Sequence, residues 1–141
     1  MYHILMLENQ TIFTKKVLKE AALLNLSSGQ PRVLEFLKNN DGAMQKDIAQ
    51  ACLIEPSSVS SVLSKMEKEG LITRHINADN KRSMDVTLTQ LGKEMAQHIE
   101  DIFNQFEKEA LADFSESEKE TLLTLLKKVN DNLTGRGRSE D

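Results

Sequence analysis

The sequence predicts a mainly α-helical chain with one small β-hairpin. A compact lobe is expected over residues 27–89, with helical segments at 1–26 and 90–133 outside it and a disordered tail at 134–141. Three observations lead there. From Pro56 to Glu69 the apolar residues Val62, Leu63 and Met66 fall within about 60° of Val59 on a helical wheel, a compact apolar stripe. After Gly70 come two β-prone runs, 71–76 and 84–88, separated by turn-forming residues. Further on, Met95, Ile99, Ile102 and Phe106 and then Leu122, Leu126, Val129 and Leu133 repeat at coiled-coil-like spacing.

In chain order, residues 3–24 read as a first helix with Leu5, Ile12, Phe13, Val17, Leu18 and Ala21 apolar. Ser27 is the expected cap of a second helix over 28–38, which places Pro31 in the first turn, where a missing N–H costs nothing. Asn39-Asn40-Asp41-Gly42 is a turn. A third helix covers 45–52. The fourth starts at Pro56 and stops before Gly70, a residue suited to the left-handed position past a helix end. Asn77-Ala78-Asp79-Asn80 turns the hairpin. Thr89 caps a fifth helix running to about Asp113. Ser115-Glu116-Ser117-Glu118 is a capping box that opens a sixth, ending near Leu133.

The polar side of the fourth helix carries Ser57, Ser61, Ser64 and Lys68, flanked by Ser60 and Lys65. That face has no bulky side chain and no acid, and a helix of this kind can enter a DNA major groove. A serine-bearing face is by itself most often merely solvated. The hairpin that follows, ending in Lys81 and Arg82, shifts the balance, because two cations on a projecting turn suit phosphates or a minor groove.

The net charge of −4 is not evenly spread. Residues 94–133 hold ten acids against four bases, whereas 56–93 hold six bases against four acids. Local potential, not the total, steers a polyanion.

Taken together, these residues resemble the MarR family of winged helix-turn-helix regulators. The resemblance is carried by Leu26-Ser27, Gln30 and Val33-Leu34, then Asp47-Ile48-Ala49 and Pro56 to Val59. It continues through Met66 to Ile72, Arg74, Lys81-Arg82-Ser83, Val86 to Thr89 and Gly92. The match spans roughly residues 26–92, and the ordered set is more specific than any piece. Two positions depart from the family pattern: Asn80 stands where an acid usually precedes the wing arginine, and Ser61 where many members have an arginine. The resemblance implies a repressor that binds a pseudo-palindromic double-stranded DNA operator as a homodimer and is released by a small-molecule effector. DNA contacts are then expected from Gln45, Ser57, Ser58, Ser60, Ser61, Ser64, Lys65, Lys68, Arg74, Lys81 and Arg82. It also implies dimerisation through the terminal helices, with two recognition helices about 34–36 Å apart. The apolar stripes of helices five and six could equally pack back onto their own chain. An effector pocket is expected where helices one, two and five meet the lobe. The second reading is a winged-helix protein-interaction module without DNA binding.

Other chemistry finds little footing. His3, His75 and His98 are scattered and there is no Cys-x-x-Cys, so neither a metal site nor a cofactor is expected. No phosphate-binding glycine loop or nucleophile elbow appears, and no histidine is spaced to activate the serines, so no enzyme is expected. His98 reads as a half-buried packing residue. Cys52 reads as a small buried apolar side chain; thiol-sensing MarR relatives place their cysteine near the N-terminal helix, where this chain has none. A single cysteine, no long apolar run and no leader-like N-terminus lead to a cytoplasmic expectation, with no membrane contact.

Overall fold

The computed structural model describes residues 1–136. It holds six helices: α1 (Tyr2–Ala22), α2 (Gln30–Asn39), α3 (Gln45–Ala51), α4 (Pro56–Lys68), α5 (Gln90–Ala110) and α6 (Glu116–Thr134). Two strands, β1 (Ile72–Ile76) and β2 (Met84–Leu88), lie between α4 and α5. They pair antiparallel, with Ile72 opposite Leu88 and Ile76 opposite Met84. The chain divides into two compact units, Met1–Phe106 and a second beginning at Glu107. Among the described residues no helix is long and apolar enough to cross a membrane.

The core of the first unit gathers Leu34 and Leu37 from α2, Ile48 from α3, Leu63 and Met66 from α4 and Val86 from β2, all fully buried. Ala21 of α1 and Ala96 and Ile99 of α5 close it. Truncating a core leucine such as Leu63 to alanine would cost about 2–5 kcal/mol. Three turns within this unit end helices through a left-handed residue: Asn25 (φ 61°), Leu53 (φ 55°) and Gly70 (φ 76°). Each is followed by an N–H that reaches five residues back, Leu26 to Ala21, Ile54 to Ala49 and Leu71 to Met66, at 3.0 Å. Only Gly70 announces itself in sequence, because glycine alone adopts that conformation without strain.

Several details differ from the sequence expectation. Ser27 does not cap the second helix. Gly29, at φ 86°, takes the position before Gln30, and the Ser27 N–H instead donates to the Gln30 side chain at 2.9 Å. The fifth helix stops at Ala110, short of Asp113, which is itself left-handed at φ 65°. Thr134 is still helical and Gly135 closes α6 in the left-handed region, so the expected disordered tail does not begin at 134; its remainder, 137–141, lies outside the described residues. His98 is exposed, not half-buried, because its neighbours Ala96 and Ile99 take the inward stripe.

Of the two readings of the α5 stripe, packing on its own chain is realised. Ile99 and Phe106 are buried, Phe103 stacks on Phe13 of α1 with ring centroids 6.2 Å apart, and the Lys16 ammonium lies over Phe106. The α6 stripe is different. The helix has no buried residue, and Leu126 and Leu133 are exposed. Its capping box forms as the sequence implies: Ser115 Oγ accepts from the Glu118 N–H at 3.1 Å, and the Glu118 carboxylate accepts from the Ser115 N–H at 3.0 Å. Exposed Tyr2, Ile4, Leu5, Leu7 and Ile12 give α1 a second uncovered apolar surface.

Candidate nucleic-acid interface

Helix α4 is seated by its apolar stripe, with Val59, Leu63 and Met66 buried. Its other flanks are fixed by polar contacts. On one side Arg74 of β1 donates through Nη2 to Ser64 Oγ at 3.1 Å and pairs with the Glu67 carboxylate at 3.4 Å. On the other, Lys65 Nζ donates to Ser27 Oγ at 3.0 Å. Between these flanks Ser57, Ser58, Ser60, Ser61 and Lys68 are exposed, and their side chains make no hydrogen bond or ion pair among the described residues. The face expected to be free is therefore free in its centre. At its margins Ser64, Lys65 and Arg74 are engaged within the chain.

The hairpin carries Lys81 and Arg82 exposed at its tip. Asn77 organises the turn: its Oδ1 accepts from the Asp79 and Asn80 N–H groups at 2.9 and 2.7 Å, and its Nδ2 donates to Asp85 at 2.8 Å. Asn80 Oδ1 accepts from the Arg82 backbone N–H at 3.2 Å, which shapes the tip while leaving the Arg82 guanidinium without an ion pair among the described residues. The base of the hairpin is tied to the start of α3. The Val86 N–H donates to Ala43 O at 2.9 Å, the Gly42 N–H donates to Val86 O at 2.9 Å, and Met44 bridges to Asp85. This third strand-like segment was not foreseen, since 42–44 has no alternating pattern of its own.

These anchors bring Gln45, Pro56 and Arg82 to one cleft, with Lys46, Asn80 and Ser83 along its walls. Lys46 is an exposed cation in this group that sequence reasoning missed; its adjacency to Gln45 at the head of α3 was the available signal. The arrangement offers hydroxyls along the α4 face, an amide at the head of α3 and exposed cations beside them. Hydroxyls and amides are groups suited to base edges, and exposed cations to phosphates.

A second concavity of about 160 Å³ lies between α1, the first turn of α2 and α5, lined by Phe13, Thr14, Leu18, Gly29, Arg32 and Phe103 among others. It coincides with the expected place of an effector pocket. Cys52, at the end of α3, is buried; its Sγ donates to Arg32 O at 3.4 Å, and Arg32 Nη1 donates to Cys52 O at 2.9 Å. Burial pushes the thiol up to about 11, the nearby Arg32 charge opposing this only in part. Such a thiol is a poor nucleophile at neutral pH.

Residues 24–83 match the model of the MarR family. Among solved structures, that of Staphylococcus aureus MepR in complex with DNA is 26% identical, with a TM-score of 0.86 over 94% of this chain and 98% of that one. The HTH-type transcriptional regulator BilQ of Clostridium symbiosum is 25% identical over 122 residues, covering 86% of this chain and 83% of that protein. A putative transcriptional regulatory protein for the hcr operon of Thauera aromatica is 29% identical over 97 residues, 69% of this chain and 58% of that protein's length.

Proposed function

Because the chain belongs to the MarR family of winged helix-turn-helix transcriptional regulators, and is a regulator and not an enzyme, we propose that it represses transcription as a cytoplasmic homodimer on a pseudo-palindromic DNA operator. One observation carries the reading: among the described residues Ser57, Ser58, Ser60 and Ser61 stand exposed and unpartnered on α4, and a cleft at the start of that helix, at Pro56, gathers Gln45, Lys46 and the unpaired Arg82 of the hairpin. Ser57, Ser58, Ser60 and Ser61 read base edges in the major groove, with Lys68 at its edge. Lys81 and Arg82 reach the neighbouring backbone or minor groove, joined by Lys46. Arg74, Ser64 and Lys65 serve as much to set the helix as to touch DNA.

Dimerisation is supported by the uncovered apolar stripes of α1 and α6, surfaces that single soluble chains seldom leave open. A small-molecule effector fits the cavity between α1, α2 and α5, where Phe13 and Phe103 offer aromatic walls and Arg32 a cation.

Fluorescence anisotropy with the promoter DNA next to its own gene, alongside sedimentation of the free protein, tests this reading. Binding at nanomolar to micromolar protein that weakens steeply with salt, by a dimer, is the expected result. A monomer at micromolar concentration removes the dimer. Absence of salt-dependent DNA binding turns the chain into a protein-interaction module.

A further inference from the structure

The segment Ser27–Gln30 serves two structures at once. Ser28 and Gly29, with Pro31 and Arg32 after them, wall the cavity between α1, α2 and α5. The same segment grips the C-terminal half of α4. Gln30 is the one buried polar residue among the described residues, 1% exposed. Its Oε1 accepts from the Ser27 N–H at 2.9 Å and its Nε2 donates to the Glu69 carboxylate at 3.3 Å. Glu69 is the residue on which α4 ends. Lys65 adds a second link, to Ser27 Oγ at 3.0 Å. Val62 adds a third by packing: a Cβ at Gly29 would stand 3.4 Å from a Val62 methyl, so the backbone there is in close contact with the helix.

A buried primary amide keeps its partners, because leaving them exposes it unsatisfied to an apolar surround. The cavity wall and the end of α4 are thus joined through a buried amide whose outer partner is the Glu69 carboxylate at the surface. We propose that Gln30 is a positioning residue that transmits displacement of the cavity wall to the end of α4 through the Glu69 carboxylate. The DNA-reading role of α4 rests on the function proposed above; the mechanical link between turn and helix does not depend on it.

An indole built into the cavity stands in for a ligand. Thr14→Trp places it on the α1 wall, with Gln10→Trp as the substitute if the first does not fold. Amide hydrogen exchange of the free protein is followed at Glu69, Gly70 and Leu71. Filling the cavity should speed exchange there by about fivefold. In a Glu69→Ala background, where Gln30 has lost its acceptor on α4, the same filling should change it by less than about twofold, a non-additive pair. Glu69→Gln, which keeps an oxygen acceptor, should restore the coupling. Equal acceleration in the unmodified and Glu69→Ala backgrounds, or none in either, overturns the relay. DNA affinity of the same variants is read separately: coupled exchange without any DNA binding removes the proposed function and leaves the relay standing.

Discussion

Arg74 Nη2 on β1 donates to the Ser64 hydroxyl of α4 at 3.1 Å. With Glu67 as a second partner, the guanidinium ties the hairpin's first strand to the helix before it, and it is largely covered. An arginine beside the helix proposed to read DNA invites assignment as a phosphate contact. Its geometry makes it a brace between the two elements proposed to meet one duplex together.

Arg74→Ala should therefore lower stability by about 1 kcal/mol, a charge-assisted hydrogen bond offset by the solvent screening of its exposed Glu67 partner. It should also weaken DNA binding without altering the slope of affinity against salt. A slope that falls by about one unit would make Arg74 a direct phosphate contact. Equilibrium unfolding and anisotropy at several salt concentrations measure both quantities.

Gly92 supplies a second prediction. It sits in the first turn of α5, where Thr89 caps the helix by accepting from the Gly92 N–H at 3.0 Å and donates to Gly70 O. A Cβ at Gly92 would overlap the Leu71 carbonyl oxygen and stand 3.1 Å from a Leu88 methyl. The neighbour is backbone and cannot swing aside. Gly92→Ala should cost about 1–3 kcal/mol despite alanine's better helix propensity, read as a lower denaturation midpoint. An unchanged or raised midpoint would mean that α5 shifts freely on the hairpin.

Pro56, Gly70, Thr89 and the Ser115–Glu118 box are local signals, and each helix start or stop they mark stands where the sequence reading put it. What stayed hidden depends on distant partners. Leu53 ends α3 in a left-handed conformation that nothing in its type suggests, the turn being held by the Ile54 N–H to Ala49 O bond. Ser27 looked like a cap because it precedes Pro31 at a cap's spacing, but Gln30 and Lys65 claim it. The α5 stripe could not be assigned to its own chain or to another until Phe13 and Phe103 were seen to stack. For the candidate interface, the residue types were legible and their engagements were not: Ser61 is free whereas Ser64, three residues on, is taken.

Cys52 gives a pH prediction. Its thiol is held up to about 11 by burial, above the ordinary thiol range that applies in the unfolded chain. The folded state therefore holds the proton more tightly. The associated stability is fully present below the ordinary thiol value and is lost as pH rises towards 11. Stability should decline over that interval in the unmodified protein, and Cys52→Ser should remove that part of the decline. At neutral pH the native thiol should resist iodoacetamide and peroxide, and the serine variant should bind DNA as before. Rapid alkylation of the native protein at pH 7, or a peroxide response lost in the serine variant, would make Cys52 a sensor.

The last prediction separates the helix from the hairpin. Ser61 is exposed at the centre of the α4 face, and Arg82 is exposed at the hairpin tip with no ion pair to release. A serine hydroxyl near a base edge donates or accepts in one direction, so its worth depends on the base beneath it. A guanidinium near phosphate is indifferent to sequence unless a narrow A·T minor groove lies below. Ser61→Ala should therefore reorder affinities among operator variants, by roughly 1–3 kcal/mol at the base it touches, with an unchanged salt slope. Arg82→Ala should weaken related and unrelated DNA alike and lower the slope by about one unit. Asn80→Asp makes the complementary change, placing a carboxylate two residues before Arg82, where the Asn80 side chain now meets only its backbone N–H. If that acid draws in the guanidinium, it holds the tip in one conformation, and affinity should change more on A·T-rich flanks than elsewhere. Arg82→Ala leaving both affinity and slope untouched would reduce the hairpin to a solvated turn, and DNA binding would then have to be carried by α3 and α4 alone.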